Sequence, residues 1–99
     1  MPKTQTVELP VTPEAALQRA ERAVNGLKRF KASEPTSSTS LVAKTKMGFA
    51  SYGETVTVVV TPTATGSSVT VTSKSKIPAL LDWGVNKANV ATVVAGLNS

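Results

Sequence analysis

The chain opens with an alternating run. In "TQTVELP" (Thr4 to Pro10), Val7 and Leu9 share one parity and polar residues take the other, the period-2 mark of a short strand that stops at a proline. The period then changes. Ala16, Leu17, Ala20, Ala23, Val24 and Leu27 recur at helical spacing, with Glu14, Gln18, Glu21, Arg22 and Asn25 on the other side. Thr12 is placed to cap this helix, Pro13 suits its first position, Glu14 complements the positive end of its dipole, and Asn25-Gly26 ends it.

Four more strands are predicted. "LKRFKAS" (Leu27 to Ser33) is short and half polar, and the polar "SEPTSS" separates it from the next. "TSLVAKTKMGF" (Thr39 to Phe49) places Leu41, Ala43, Thr45 and Met47 on one face and Val42, Lys44 and Lys46 on the other. "ETVTVVVTP" (Glu54 to Pro62) alternates Val56, Val58 and Val60 with Thr57, Val59 and Thr61. "SVTVTSKSKI" (Ser68 to Ile77) alternates Val69 and Val71 with Thr70, Thr72, Lys74 and Lys76. "SYGE" and "TATGSS" read as hairpin loops. Val90, Val93, Val94 and Leu97 then return to helical spacing, with Trp83 on the same stripe. The order is β-α-β-β-β-β-α over residues 1–99 as one domain. Consecutive hairpins imply an antiparallel sheet, and two amphipathic helices must cover one of its faces. The fold class is α+β, a two-layer sandwich with one sheet face left to solvent or a partner.

The join between the last strand and the last helix, "SKSKIPALLDWGVNKANV", gathers the only tryptophan, the last proline and the only aspartate. A structural role accounts for each. Pro78 ends the ladder, Asp82 caps the helix, and Trp83 opens it and buries its ring at the layer junction. Gly84, one turn inside, permits close approach to a strand. Asn86 and Asn89 satisfy backbone groups left over there. Asp82, Trp83, Gly84 and Asn86 are therefore assigned to helix entry.

This segment resembles the C-terminal part of a family of uncharacterised small bacterial proteins, in which a Ser- and Lys/Arg-rich strand leads through a D-x-G-x-N turn, here Asp82, Gly84 and Asn86, into a last amphipathic helix. The resemblance implies a bacterial or phage origin and helix entry as the motif's role, and it carries over no established activity. The order of elements also looks like one half of the TATA-box-binding-protein fold, and its last strands and helix look like the end of START-type helix-grip domains, which hold apolar ligands between sheet and helix. The chain departs from both. Its open face offers Thr and Lys where the first carries apolar wedges, with Phe30 and Phe49 expected to face the core, and it has fewer strands than the second.

Composition removes much chemistry. The 99 residues include no histidine and no cysteine, which excludes thiolate chemistry, disulfides and the commonest acid/base and metal ligand. The acidic residues Glu8, Glu14, Glu21, Glu34, Glu54 and Asp82 are scattered over separate elements, with no spacing that holds a metal or pairs two carboxylates. Ser73 and Lys76 stand three apart, a catalytic spacing on a helix; on a strand an odd separation sends them to opposite faces. No phosphate-binding glycine loop occurs. No enzyme, cofactor or metal site is expected.

Net charge is +5. Lys44, Lys46, Lys74 and Lys76 alternate away from the Val/Leu face, so they are the candidate polyanion-binding residues of the open face. No aromatic residue is interleaved for base stacking, so such binding is expected to be weak, salt-sensitive and independent of sequence. With no apolar signal segment and no membrane-length run, a cytoplasmic protein with no membrane partner is expected. The sequence thus reads as a small non-enzymatic binding or interaction module of unknown partner, homodimer formation being one mode of interaction; the alternative is nucleic-acid or polyanion binding through the Lys/Thr-rich face.

Overall fold

A computed structural model describes residues 2–48, 53–75 and 84–98. The elements are β1 (Lys3–Leu9), α1 (Pro13–Val24), β2 (Phe30–Ser37), β3 (Ser40–Thr45), β4 (Glu54–Thr63), β5 (Gly66–Ser75) and α2 (Val85–Leu97). The five strands form one antiparallel sheet in the order β1-β5-β4-β3-β2, so the first strand lies beside the last and the edges are β1 and β2. Both helices pack on one face, as the pattern required: α1 mainly across β4, β3 and β5, and α2 against α1, β5 and β1. No described helix is long and apolar enough to cross a membrane.

The core follows the strand parity. Leu41 and Ala43 of β3, Val56, Val58 and Val60 of β4, and Val69 and Val71 of β5 are buried. Ala16, Ala20, Ala23 and Val24 of α1, and Val90, Val93 and Leu97 of α2, close over them. Small residues on α1 bring the layers together without large aromatics. Phe30 packs partly buried against this core, while Phe49 lies outside the described residues.

The first helix starts as its sequence dictates. Thr12 is the N-cap, its hydroxyl accepting from the Ala15 N–H at 3.2 Å, and Pro13 occupies the first turn. At the other end the chain does not go straight into a strand. Gly26 and Leu27 donate back to Ala23 and Val24, and the Phe30 N–H donates to the Leu27 carbonyl at 3.1 Å. Arg29 takes a left-handed φ of 65°. This turn buries Leu27 and delays β2 to Phe30, so the strand predicted over Leu27 to Ser33 moves toward the C-terminus. Most of the "SEPTSS" separator is strand, not loop. Pro35 is accommodated there because β2 is an edge, where a missing N–H costs no ladder bond.

Two further expectations shift. β3 ends at Thr45, so Met47 falls beyond the parity rule and is 68% exposed instead of facing the core. α2 begins at Val85 with Gly84 as N-cap, so the cap expected at Asp82 is displaced; Asp82 and Trp83 themselves lie outside the described residues. Nor does Gly84 sit one turn inside the helix to admit a neighbouring strand. Its φ is 77°, and a methyl group placed there would meet nothing within 4 Å. Glycine serves the left-handed backbone at this position.

Candidate functional site

The apolar core turns polar at one end. Thr45 continues the buried parity of Leu41 and Ala43, Glu54 that of Val56, and Ser73 that of Val71. Asn86 and Asn89 precede Val90 and Val93 on the inward stripe of α2. All five are buried, Glu54 to 4% exposure. The end of β3, the start of β4, the end of β5 and the first turns of α2 meet there because the three strands are consecutive hairpin partners.

Their hydrogen bonds form one network. The Thr45 hydroxyl donates to Glu54 Oε1 at 2.8 Å while accepting from the Glu54 N–H at 2.8 Å. Asn89 Nδ2 donates to Glu54 Oε1 at 3.3 Å and to Ser73 Oγ at 3.1 Å. Ser73 Oγ donates to Asn86 Oδ1 at 2.8 Å, and Asn86 Nδ2 donates to Ser75 Oγ at 3.3 Å. No buried side-chain nitrogen or oxygen among the described residues lacks a partner. A buried carboxylate with such donors is tolerated because its charge is met by hydrogen bonds. The network ties α2 to the sheet, with Asn86 bonded to the strand side chains of Ser73 and Ser75.

Glu54 was legible in principle. It stands in phase with three core valines, an inward carboxylate, whereas residue type alone counts it among the surface charges. The described residues contain no group of three His, Cys, Asp or Glu placed to hold a metal ion.

The opposite face of the sheet carries the lysines. Across it, Thr4, Thr72, Thr57 and Val42 form one row, and Thr6, Thr70, Val59 and Ser40 the next. Hydroxyls meet across strands, Thr4 with Thr72 at 3.2 Å and Thr6 with Thr70 at 3.0 Å. Val59 is 42% exposed at the centre of this face. Thr55 pairs with Lys44 on one side and Lys74 on the other. These two exposed lysines therefore stand two strands apart, about 10 Å between Cα positions at the usual strand spacing. Lys46 is exposed past the end of β3, its N–H bound to the Arg29 carbonyl at 2.8 Å. Lys76 lies outside the described residues. Of the candidate quartet, then, two are brought together in register and one sits beyond the strand.

A separate shallow groove of about 210 Å³ runs between the end of α1 and β2, lined by Glu21, Asn25, Ser33, Glu34, Pro35 and Leu41. Its two carboxylates give it the opposite sign to the lysine pair.

No family model and no curated protein matches the chain. Among solved structures, TTHA0849 from Thermus thermophilus is similar at a TM-score of 0.56 and 15% identity, covering 98% of this chain and 94% of that one. Ara h 8.0201 aligns at a TM-score of 0.42 and 13% identity, over 100% of this chain and 99% of that one. At these identities the first likeness extends to the fold alone.

Proposed function

We propose that this chain is a small non-enzymatic binding or interaction module, cytoplasmic, that works through surfaces of its sheet and self-associates as a homodimer. The observation that carries this reading is the face of the five-stranded sheet that neither described helix covers. Both helices lie on the other side, leaving Thr4, Thr6, Thr57, Thr70, Thr72, Val42 and Val59 on an ordered, hydroxyl-rich surface with an apolar centre. The absence of histidine and cysteine from the sequence supports a non-catalytic role. So does the engagement of Glu54, the buried carboxylate, with Thr45 and Asn89. Light scattering across a concentration series tests self-association; a strict monomer at high micromolar concentration removes it.

A second reading, a polyanion site, is favoured by one placement: Lys44 and Lys74 flank Thr55 on the open face. Two lysines and hydroxyls contact phosphates without reading bases, which makes the binding salt-sensitive and independent of sequence. Titration with single-stranded and duplex DNA and with RNA at low salt tests it, and no binding to any of them removes it.

A further inference from the structure

The two edges of the sheet differ. β2 is irregular: its register with β3 shifts between Phe30 and Ala32 and again between Pro35 and Ser37, and it contains a proline. Bulges and proline are the usual means of blocking further strand pairing. β1 has neither. It keeps unbroken register with β5 from Lys3↔Ser73 to Leu9↔Ser67, and no described strand lies on its outer side.

The helix layer also stops short over β1. Lys3 and Gln5 point to the helix-bearing face yet are exposed, and Val7 is only partly buried. The adjoining helix, α2, is apolar beyond what its own packing uses. Ala88, Ala91 and Ala95 are exposed and Val94 half-buried. Gly96 and Thr92 turn toward α1, which leaves Lys87, Ala91 and Val94 on the flank away from it. Lys87 stands in the first turn of α2, a turn with no acidic residue of its own, and the positive end of the helix dipole disfavours a cation there.

We infer that β1 pairs antiparallel with β1 of a second copy, about a two-fold axis normal to the sheet and midway between the two Gln5 residues, giving a continuous ten-stranded sheet. This rests on the reading of the chain as a self-associating module. With Gln5 opposite the second copy's Gln5, Thr4 stands opposite the second copy's Thr6. The hydroxyl rows Thr4–Thr72 and Thr6–Thr70 then run on into each other across the seam. The same axis sets the two α2 helices antiparallel above the seam. The midline between β5 and β1 lies about 5 Å from it, so the helix axes come to about 10 Å, near the packing distance of apolar helices. Ala91 and Val94 of the two flanks meet there, and Lys87 approaches the C-terminal, negative end of the second copy's α2.

The chain has no cysteine, so one introduced thiol is diagnostic. Gln5→Cys places two thiols at directly opposed positions, where Cα separations of about 4.5–5.5 Å suit a disulfide. Under mild oxidation Gln5→Cys converts to a covalent dimer, while Thr61→Cys, exposed on the open face away from the seam, does not. Wild type and Thr61→Lys run at about twice the 10.2 kDa chain mass, and Gln5→Lys, which opposes two cations on the axis, runs at the chain mass. A monomeric wild type overturns this inference and the self-association reading together. A dimeric wild type whose Gln5→Lys variant stays dimeric, and whose Gln5→Cys variant fails to cross-link, overturns the β1 seam alone.

Discussion

Gly96 of α2 faces Ala23 of α1 so closely that a methyl group on Gly96 would lie 2.5 Å from Ala23 Cβ and 2.9 Å from its Cα. The helices cross where each offers its smallest surface. Glycine in a helix interior is ordinarily a cost of about 1 kcal/mol relative to alanine, so its presence here reflects the contact.

Replacing Gly96 tests that contact. Gly96→Ala gains helix propensity but forces α1 and α2 apart. The overpacking cost of about 1–3 kcal/mol outweighs the gain, and the denaturation midpoint falls. A raised midpoint would show that the helices separate freely at this crossing.

Gly84→Ala tests the helix entry. With φ at 77° and no neighbour within 4 Å, the penalty is conformational, about 1–2 kcal/mol. Gly84→Asn, whose side chain tolerates this region, loses less. Equal losses in thermal or urea denaturation would point to a steric cause instead.

The buried network predicts coupling. Ser73→Ala removes the 2.8 Å donor to Asn86 Oδ1 and the acceptor that Asn89 Nδ2 reaches at 3.1 Å, at a cost of about 1–3 kcal/mol. Asn86→Ala has a similar cost. The double variant loses less than the sum, by a coupling energy of about 0.5–3 kcal/mol, measured by a double-mutant cycle in urea. Simple additivity would mean the two groups act separately.

The lysine pair makes a prediction about salt. Replacing Lys44 and Lys74 with Gln shifts stability by less than about 0.5 kcal/mol each. If the open face meets a polyanion, the slope of log affinity against log salt drops by about one unit for each phosphate no longer neutralised. An unchanged slope in a wild type that binds nucleic acid places the phosphate-binding groups elsewhere.

Much of this architecture is written in periodicity. Val56, Val58 and Val60 alternate without interruption and lie buried; Thr12, Pro13 and Asn25 bound the first helix as their chemistry requires. The departures share a cause, in that local pattern does not locate the ends of elements. Met47 keeps the right parity but stands after the last residue of β3, where the pleat no longer aims its side chain. Leu27 keeps the helical spacing of α1 and is buried by a turn, which displaces the strand assigned to it. Glu54 shows the reverse, since parity placed it inward and charge argued for the surface. Its burial depends on Asn89, 35 positions away, and no local window contains that partner.

The position of β1 beside β5 has a kinetic consequence. Lys3 pairs with Ser73, so β1 leaves a ribosome long before the strand it pairs with. At about 5–20 residues per second, that delay is several seconds. Over the same interval β2, β3 and β4 can pair through local hairpins. Closing the sheet at β1 is the most non-local strand pairing in the fold, and long-range pairing of this kind is what slows a small α+β domain. A strand left unpaired that long emerges with the polar run Lys3 to Thr6 and a single Val–Glu–Leu at its end, a composition that resists premature association while it waits.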